Sequence, residues 1–458
     1  MSETGSLPVS PLLQLTLDDS EVPQLALERP WTRRRIHSLP LELRILILSY
    51  LDAKQVKEFS LCSHACRAAS LPIMYRRLRL SYDDSLLERP VTPTSRLEQI
   101  RAAFFNEGGS LYNLQDVVRH VTVDTEKLPG FNNIITYYRT WVSLLPLFPA
   151  LNSLKILYYS PSACAYSPNL YEFDIRLFNG TFSRLMETCP SFRTLKSLYV
   201  RTSDYRFRDP SASPTLSGER LSDEDEIFMG LNPGESILKF STMGTIPCPP
   251  ALEEAYFDID FRTEPRKDVI HPLIFIRSSM PTLKKLGVWV DLHTDRVQAW
   301  ARSKLFPNGV DMRGITELGL CLDFLNLTDY ATELERRLPY VETLSLYVDE
   351  DSHGGFWEEQ AIKSYGRLVA AWPRTLKKMR APWFTVNGSF ERQRGRTHRI
   401  KSWFDTNGES NLEMVMLVKE TTGDQFEATD CTITKTDSGR EFKWSEIYLT
   451  DKLPLDGL

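Results

Sequence analysis

Cys62, His64 and Cys66 crowd into five residues, and side chains of these types could ligate a metal. A structural zinc site takes four cysteine or histidine ligands in a tetrahedron. This cluster has no second ligand pair nearby, and Cys62 and Cys66 fall on opposite sides of an expected helix junction. Free cysteine is also a frequent core residue. The reading is therefore no metal. His353 stands beside Gly354-Gly355 and Phe356-Trp357, the make-up of a pocket-lining loop, and is read as a polar loop with a buried aromatic. Gly108-Gly109 and Gly354-Gly355 lack the flanking pattern that cradles a phosphate. Seven scattered histidines assemble no triad with a nucleophile and an acid. No catalytic residue and no cofactor is expected. Such a chain works by contact.

Bulk properties narrow the contacts. Hydrophobic residues are 42% and charged residues 25% of 458, ordinary for a globular protein. The net charge of −5 argues against a mainly nucleic-acid-binding role. Arg33-Arg34-Arg35 reads as a solvated run, with a nuclear import signal as second reading. Seven cysteines, odd in number and sparse, suit a reducing compartment, cytoplasmic or nuclear. The N-x-S/T triplets at Asn179, Asn326 and Asn387 carry no weight there. There is no charged-then-apolar leader. No apolar run approaches the roughly 20 residues that cross a bilayer. Neither nucleic acid nor membrane is expected as a partner. Residues 1–35 are broken by serine, proline and acidic residues and read as a disordered tail.

The elements that would present a contact surface begin at "LPLELRILILSYL", residues 39–51, where only Glu42, Arg44 and Ser49 are polar. A surface helix shows one apolar stripe and one wet face; this one is apolar almost all round. On a helix, Leu43, Ile47, Tyr50 and Leu51 share one face, and Leu41, Ile45 and Leu48 another. Asp52 is placed to cap a second helix carrying Val56, Phe59 and Leu61. Ser63 is placed to cap a third through Ala65, Ala68 and Ala69, which Pro72 interrupts or restarts. Three short helices bury too little to stand alone. They cover one face of the first helix, and the other needs the rest of the chain or a partner. Each Leu or Ile so buried is stabilised by about 1.5–3 kcal/mol.

"LPLELRILILSYLDAKQVKEFSLCSHACR" resembles the F-box in unbroken register. Leu39-Pro40 is similar to its opening pair, and Glu42 to its acidic position. Ile47 and Tyr50-Leu51 match the close of its first helix. Val56, Phe59, Ser60-Leu61 and Ser63 match its second block, and Arg67 its late basic residue. "LPIMYRRLRL", residues 71–80, is similar to the tail that follows in fungal members. Cys66 departs from the pattern, standing where many F-boxes have tryptophan. The resemblance places an F-box at 36–80. It implies that Leu39, Pro40, Leu43, Ile47, Tyr50, Leu51, Val56, Phe59, Leu61 and Arg67 bind a Skp-type adaptor and, through it, a cullin–RING ligase.

A phrase then recurs between 110 and 384. Pro149-Ala-Leu151-Asn-Ser-Leu154 returns as Pro190-Ser-Phe192-Arg-Thr-Leu195, Pro250-Ala-Leu252, Pro281-Thr-Leu283-Lys-Lys-Leu286 and Pro339-Tyr-Val341-Glu-Thr-Leu344. Val118 and Ile315 open copies without the proline, and Trp372-Pro373-Arg-Thr-Leu376 is a looser last one. First apolar residues at 118, 151, 192, 252, 283, 315 and 341 are 33, 41, 60, 31, 32 and 26 residues apart. Such periods signal stacked repeats. The phrase resembles the strand of a leucine-rich repeat, although no copy keeps that family's usual asparagine. The expected fold is α/β: a three-helix F-box, then an irregular leucine-rich-repeat-like α/β solenoid over 110–384 with an exposed insertion near 203–245. Alternating residues with turn signals at Asn407-Gly408 and Gly423-Asp424 make 385–458 a small β-rich cap. Of the tryptophans in the C-terminal half (Trp289, Trp300, Trp357, Trp372, Trp383, Trp403 and Trp444), most read as core, with one or two left for a binding rim.

The expected function is substrate recognition in a Skp–cullin–F-box E3 ubiquitin ligase, with the solenoid holding an unspecified protein target. The alternatives are an F-box scaffold outside any ligase, and an α/β enzyme with a fortuitous match.

Overall fold

The computed structural model describes residues 39–51, 53–81, 93–109, 111–112, 114–124, 131–158, 181–202, 249–261, 279–292, 311–321, 334–347, 358–382, 393–405, 410–420 and 425–451. The expected tail (1–35), the insertion near 203–245, Asp52, and the turns at 407–408 and 423–424 lie outside them.

Three helices come first: α1 (Leu41–Leu48), α2 (Ala53–Ser60) and α3 (His64–Met74). Pro40 precedes α1, where a residue without an N–H costs no hydrogen bond, and its carbonyl accepts from the Arg44 N–H at 3.1 Å. Ser63 caps α3 by accepting from the Cys66 N–H at 3.1 Å, as its position predicts. Pro72 does not break the helix. α3 runs through it to Met74, and the Tyr75 N–H still reaches the Leu71 carbonyl at 3.0 Å. One missing donor is tolerated because α3 packs against both α1 and α2. Leu48, Val56, Cys66 and Ala69 form the buried centre of this unit. The Arg44 guanidinium ties α1 to α3 by donating to the Ala65 carbonyl at 3.2 Å.

Only Tyr75 and Arg76 separate α3 from β1 (Arg77–Ser81), the first strand of a long sheet. The strands that follow are β2 (His120–Asp124), β3 (Ser153–Tyr158), β4 (Ser197–Thr202), β5 (Glu254–Phe261), β6 (Lys285–Leu292), β7 (Glu317–Cys321), β8 (Thr343–Tyr347), β9 (Lys378–Pro382) and β10 (Met414–Glu420). They lie side by side in chain order, and each neighbouring pair is parallel. Parallel neighbours need a crossover. Among the described residues, helices occupy six of these crossovers: α4 (Pro93–Phe105), α5 (Phe131–Leu144), α6 (181–188), a short turn at 334–337, α7 (Glu358–Ala371) and α8 (Gln393–Asp405).

The repeated phrase is the cause of this order. In each copy one apolar residue precedes the strand and two more alternate along it, so all three point into one core. Val118-Val121-Val123, Leu151-Leu154-Ile156, Leu283-Leu286-Val288 and Val341-Leu344-Leu346 are all buried. The polar residue after the first apolar one sets the register. Its carbonyl accepts from two successive N–H groups of the next copy, at 2.7–3.2 Å, from Arg76 through Arg119, Asn152, Lys196, Glu253, Lys284, Thr316 and Glu342 to Lys377. Against this ladder the third copy starts at Leu195, not Phe192. A one-turn helix, Pro190–Arg193, intervenes between proline and strand, and Phe192 takes the place that Phe148, Met280 and Met312 hold in other copies. A further copy, Leu412-Glu-Met-Val415-Met-Leu417, forms β10. It extends the parallel series into the residues expected to form the separate β-rich cap.

The antiparallel part is β11 (Gln425–Thr436), β12 (Gly439–Trp444) and β13 (Tyr448–Asp451), with β10 and β12 flanking β11 and β13 pairing with it as well. α8 is clasped to β12: the Arg396 guanidinium lies 4.5 Å over the Trp444 ring and Arg440 4.2 Å over Phe404. Trp444 Nε1 donates to Thr397 Oγ1 at 2.9 Å. The core on the helix side of the sheet holds Trp141, Trp372, Trp403, Tyr137, Tyr138, Phe104, Phe148, Phe182 and Phe192.

Candidate protein-docking surface

The open side of α1 is the part of the described structure that ordinary folding leaves least explained. Leu48 is buried and Ile45 half-buried against α3, which accounts for one face. Leu43, Ile47, Tyr50 and Leu51 stay exposed together, with Tyr50 82% accessible. Leu41 and Leu46 are exposed too. The helical wheel assigns Leu41 to the covered face, yet as the first residue of α1 it stays 42% accessible. Leu61, at the turn between α2 and α3, is 66% accessible. A contiguous apolar patch of this kind marks an interaction site.

Around it the other expected contacts divide. Pro40 and Arg67 are exposed; Leu39 and Phe59 are half-buried. Val56 stands apart from the exposed set. At 2% accessibility it belongs to the centre of the three-helix unit, because the face of α2 that carries it turns toward α3. Cys66, at the position expected to hold tryptophan, also faces inward. The exposed patch thus comes from α1 and the α2–α3 turn.

Residues 36–71 match the family model of the F-box domain. The chain carries an F-box. No curated protein is significantly similar to the chain. F-box domains are binding modules that dock Skp-type adaptors of cullin–RING ligases, and they are typically not enzymes. The F-box helices lead into a mixed α/β region with a long, mostly parallel sheet. The match ends at residue 71, inside α3; Arg77–Ser81, read from the sequence as part of the F-box unit, is already paired with β2.

The remaining chemical candidates take the following places where they lie among the described residues. Cys62 is exposed and its thiol donates to the Glu58 carbonyl at 3.6 Å, while Cys66 points into the F-box core. Among the described residues no three His, Cys, Asp or Glu side chains gather as metal ligands. Burial pushes the Cys189 thiol up and Cys431 up to about 12, which keeps both protonated. Gly108 has φ +84° and ends α4; a Cβ on Gly109 would sit 2.4 Å from the Ala103 carbonyl oxygen. The pair follows the end of α4 at close quarters. Trp372 and Trp403 are core, and Trp444 is held by Arg396 and Thr397. Trp289 lies on β6. His353, Trp300, Trp357 and Trp383 lie outside the described residues. No helix among the described residues is long and apolar enough to cross a membrane.

Proposed function

We propose that the chain is a substrate-recognition subunit of a Skp–cullin–F-box ubiquitin ligase. The open face of α1, with Leu61 and Arg67 beside it, docks the Skp-type adaptor. The stacked strand–crossover units after it act as a leucine-rich-repeat-like solenoid that holds a protein target. The observation that carries this reading is the set of exposed apolar side chains on α1 beside the small buried centre of the F-box formed by Leu48, Val56, Cys66 and Ala69. A second chain completing that core would turn an unfavourable surface into a stabilising one, by about 1.5–3 kcal/mol for each Leu or Ile covered. The ten parallel strands in chain order support the solenoid reading, since stacked repeats present one long surface. Such a subunit does no bond chemistry. It raises the local concentration of a target lysine near the charged ubiquitin carrier.

The test is co-purification of the full chain with a Skp-type adaptor, compared with the variant Leu43→Asp/Ile47→Asp. Capture by the wild type, its loss in the variant, and an unchanged circular dichroism spectrum are expected. Equal capture by both would remove the α1 face from the interface.

A further inference from the structure

The residues at which the strands begin carry charge in a pattern that changes along the sheet. In the middle of the sheet cation and anion alternate. Glu253 lies between Lys196 at 2.8 Å and Lys284 at 2.6 Å, Lys285 lies between Glu254 and Glu317, and Lys377 meets Glu342 at 3.0 Å. At β1 and β2 the same positions are Arg76, Arg77, Arg119 and His120. Arg77 stands directly opposite His120 in the register, and the Arg76 carbonyl accepts from the N–H groups of both Arg119 and His120. Four cationic or protonatable side chains therefore spring from one small area. The three arginines are exposed and His120 is half-buried. Among the described residues none of the four side chains makes an ion pair or a hydrogen bond. The next unit offers only Asn152 and Ser153.

Like charges directly opposite each other destabilise a sheet. Here the conflict is visible: burial, then the guanidiniums of Arg77, Arg76 and Arg119, hold His120 below the usual histidine range. Edge protection explains part of the pattern. Among the described residues β1 is the terminal strand, and charged side chains on a terminal strand discourage pairing with foreign sheets. It accounts for Arg77 and Arg79, of which Arg79 is already paired with Asp124. It does not account for Arg119 and His120 on the inner strand. A local conflict kept where one acidic residue would relieve it, as happens further along the same sheet, marks a surface used for something else.

We infer that Arg76, Arg77, Arg119 and His120 form a second docking surface, separate from the α1 face, for an extended acidic segment of a partner protein. The guanidinium forks take carboxylates in paired hydrogen bonds. Among the described residues no strand lies beside the outer edge of β1, so an extended segment has a backbone to lie along. Acidic residues on such a segment supply the anions that this end of the sheet lacks.

The test is fluorescence anisotropy of the full chain with a fluorescein-labelled glutamate-rich peptide, set against its glutamine counterpart. The glutamate peptide binds, added salt weakens it, and the glutamine peptide does not bind. Arg76→Gln/Arg119→Gln weakens binding roughly tenfold, with the thermal midpoint unchanged or raised because repulsion is removed. Equal binding of both peptides, or unaltered affinity in the double variant, overturns the surface. Displacement of the peptide by single-stranded RNA at lower concentration than by unlabelled peptide overturns the assignment to an acidic protein segment.

Discussion

Leu43 and Val56 are both aliphatic, both inside the F-box match, and they end in opposite environments. Leu43 is 46% accessible and Val56 2%. Val56→Ala is therefore expected to destabilise the helical unit by roughly 1–3 kcal/mol. Leu43→Ala should leave the free chain within about 0.5 kcal/mol of wild type and weaken adaptor capture instead. Urea melts set beside pull-downs check both; equal melting losses would put Leu43 in the core. The sequence makes Leu43, Ile47, Tyr50 and Leu51 legible as one face because helical spacing alone decides it. It cannot separate Val56 from them, since a family pattern records which positions are apolar and not which chain covers them. Cys66 is the same lesson: the motif records only that it departs from the usual tryptophan, and it is the packing of α3 that turns it inward.

Among the elements, the strands are the most legible, because three apolar residues at fixed spacing serve both the core and the register. Two failures have physical causes. Phe192 follows its proline as Leu151 does, but Pro190 opens a helical turn, so the strand begins three residues later. The copy at Leu412 has no proline before it, and its alternation matches either strand direction; only pairing with β9 decides that β10 is parallel. The polar partner positions carry a consequence for acid stability. Lys196 and Lys284 hold the Glu253 carboxyl at about 2. A carboxyl lowered by folding contributes stability above its ordinary range, and that contribution fades as pH falls from about 4.5 toward 2. Glu253→Gln should therefore lower stability slightly at neutral pH and flatten the decline over that acid window. The Glu253 side chain is partly accessible, so high salt should shrink the difference. Urea midpoints measured across that window, with and without salt, decide it.

At the scale of the molecule, the sheet grows in one direction and each unit leans on its neighbours. Its far end needs closing, and β11–β13 do this for β10, burying Cys431 and Ile433 against Val415 and Leu417. Truncation before Gln425 should leave β10 as a bare parallel edge with an apolar face. The expected outcome is association, seen as a shift to high mass in size-exclusion chromatography. A truncated chain that stayed monomeric would show that β10 needs no cover. The overall order of helices then strands is readable from residues 39 to 417, since binary pattern sets it; the clasp of Arg396 and Arg440 on Trp444 and Phe404 is not, because it joins side chains from separate elements.

The join between the F-box and the sheet has a mechanical meaning. Tyr75 packs edge-on against Phe104 at 6.0 Å, and the carbonyl of Arg76 is already committed to β2. Torque applied at α1 has no hinge in which to dissipate before it reaches the first strand. In the proposed ligase role this join would act as one lever, holding a target on the sheet at a set bearing toward an adaptor on α1. A few flexible residues inserted after Tyr75 would leave both grips intact and lose the aim.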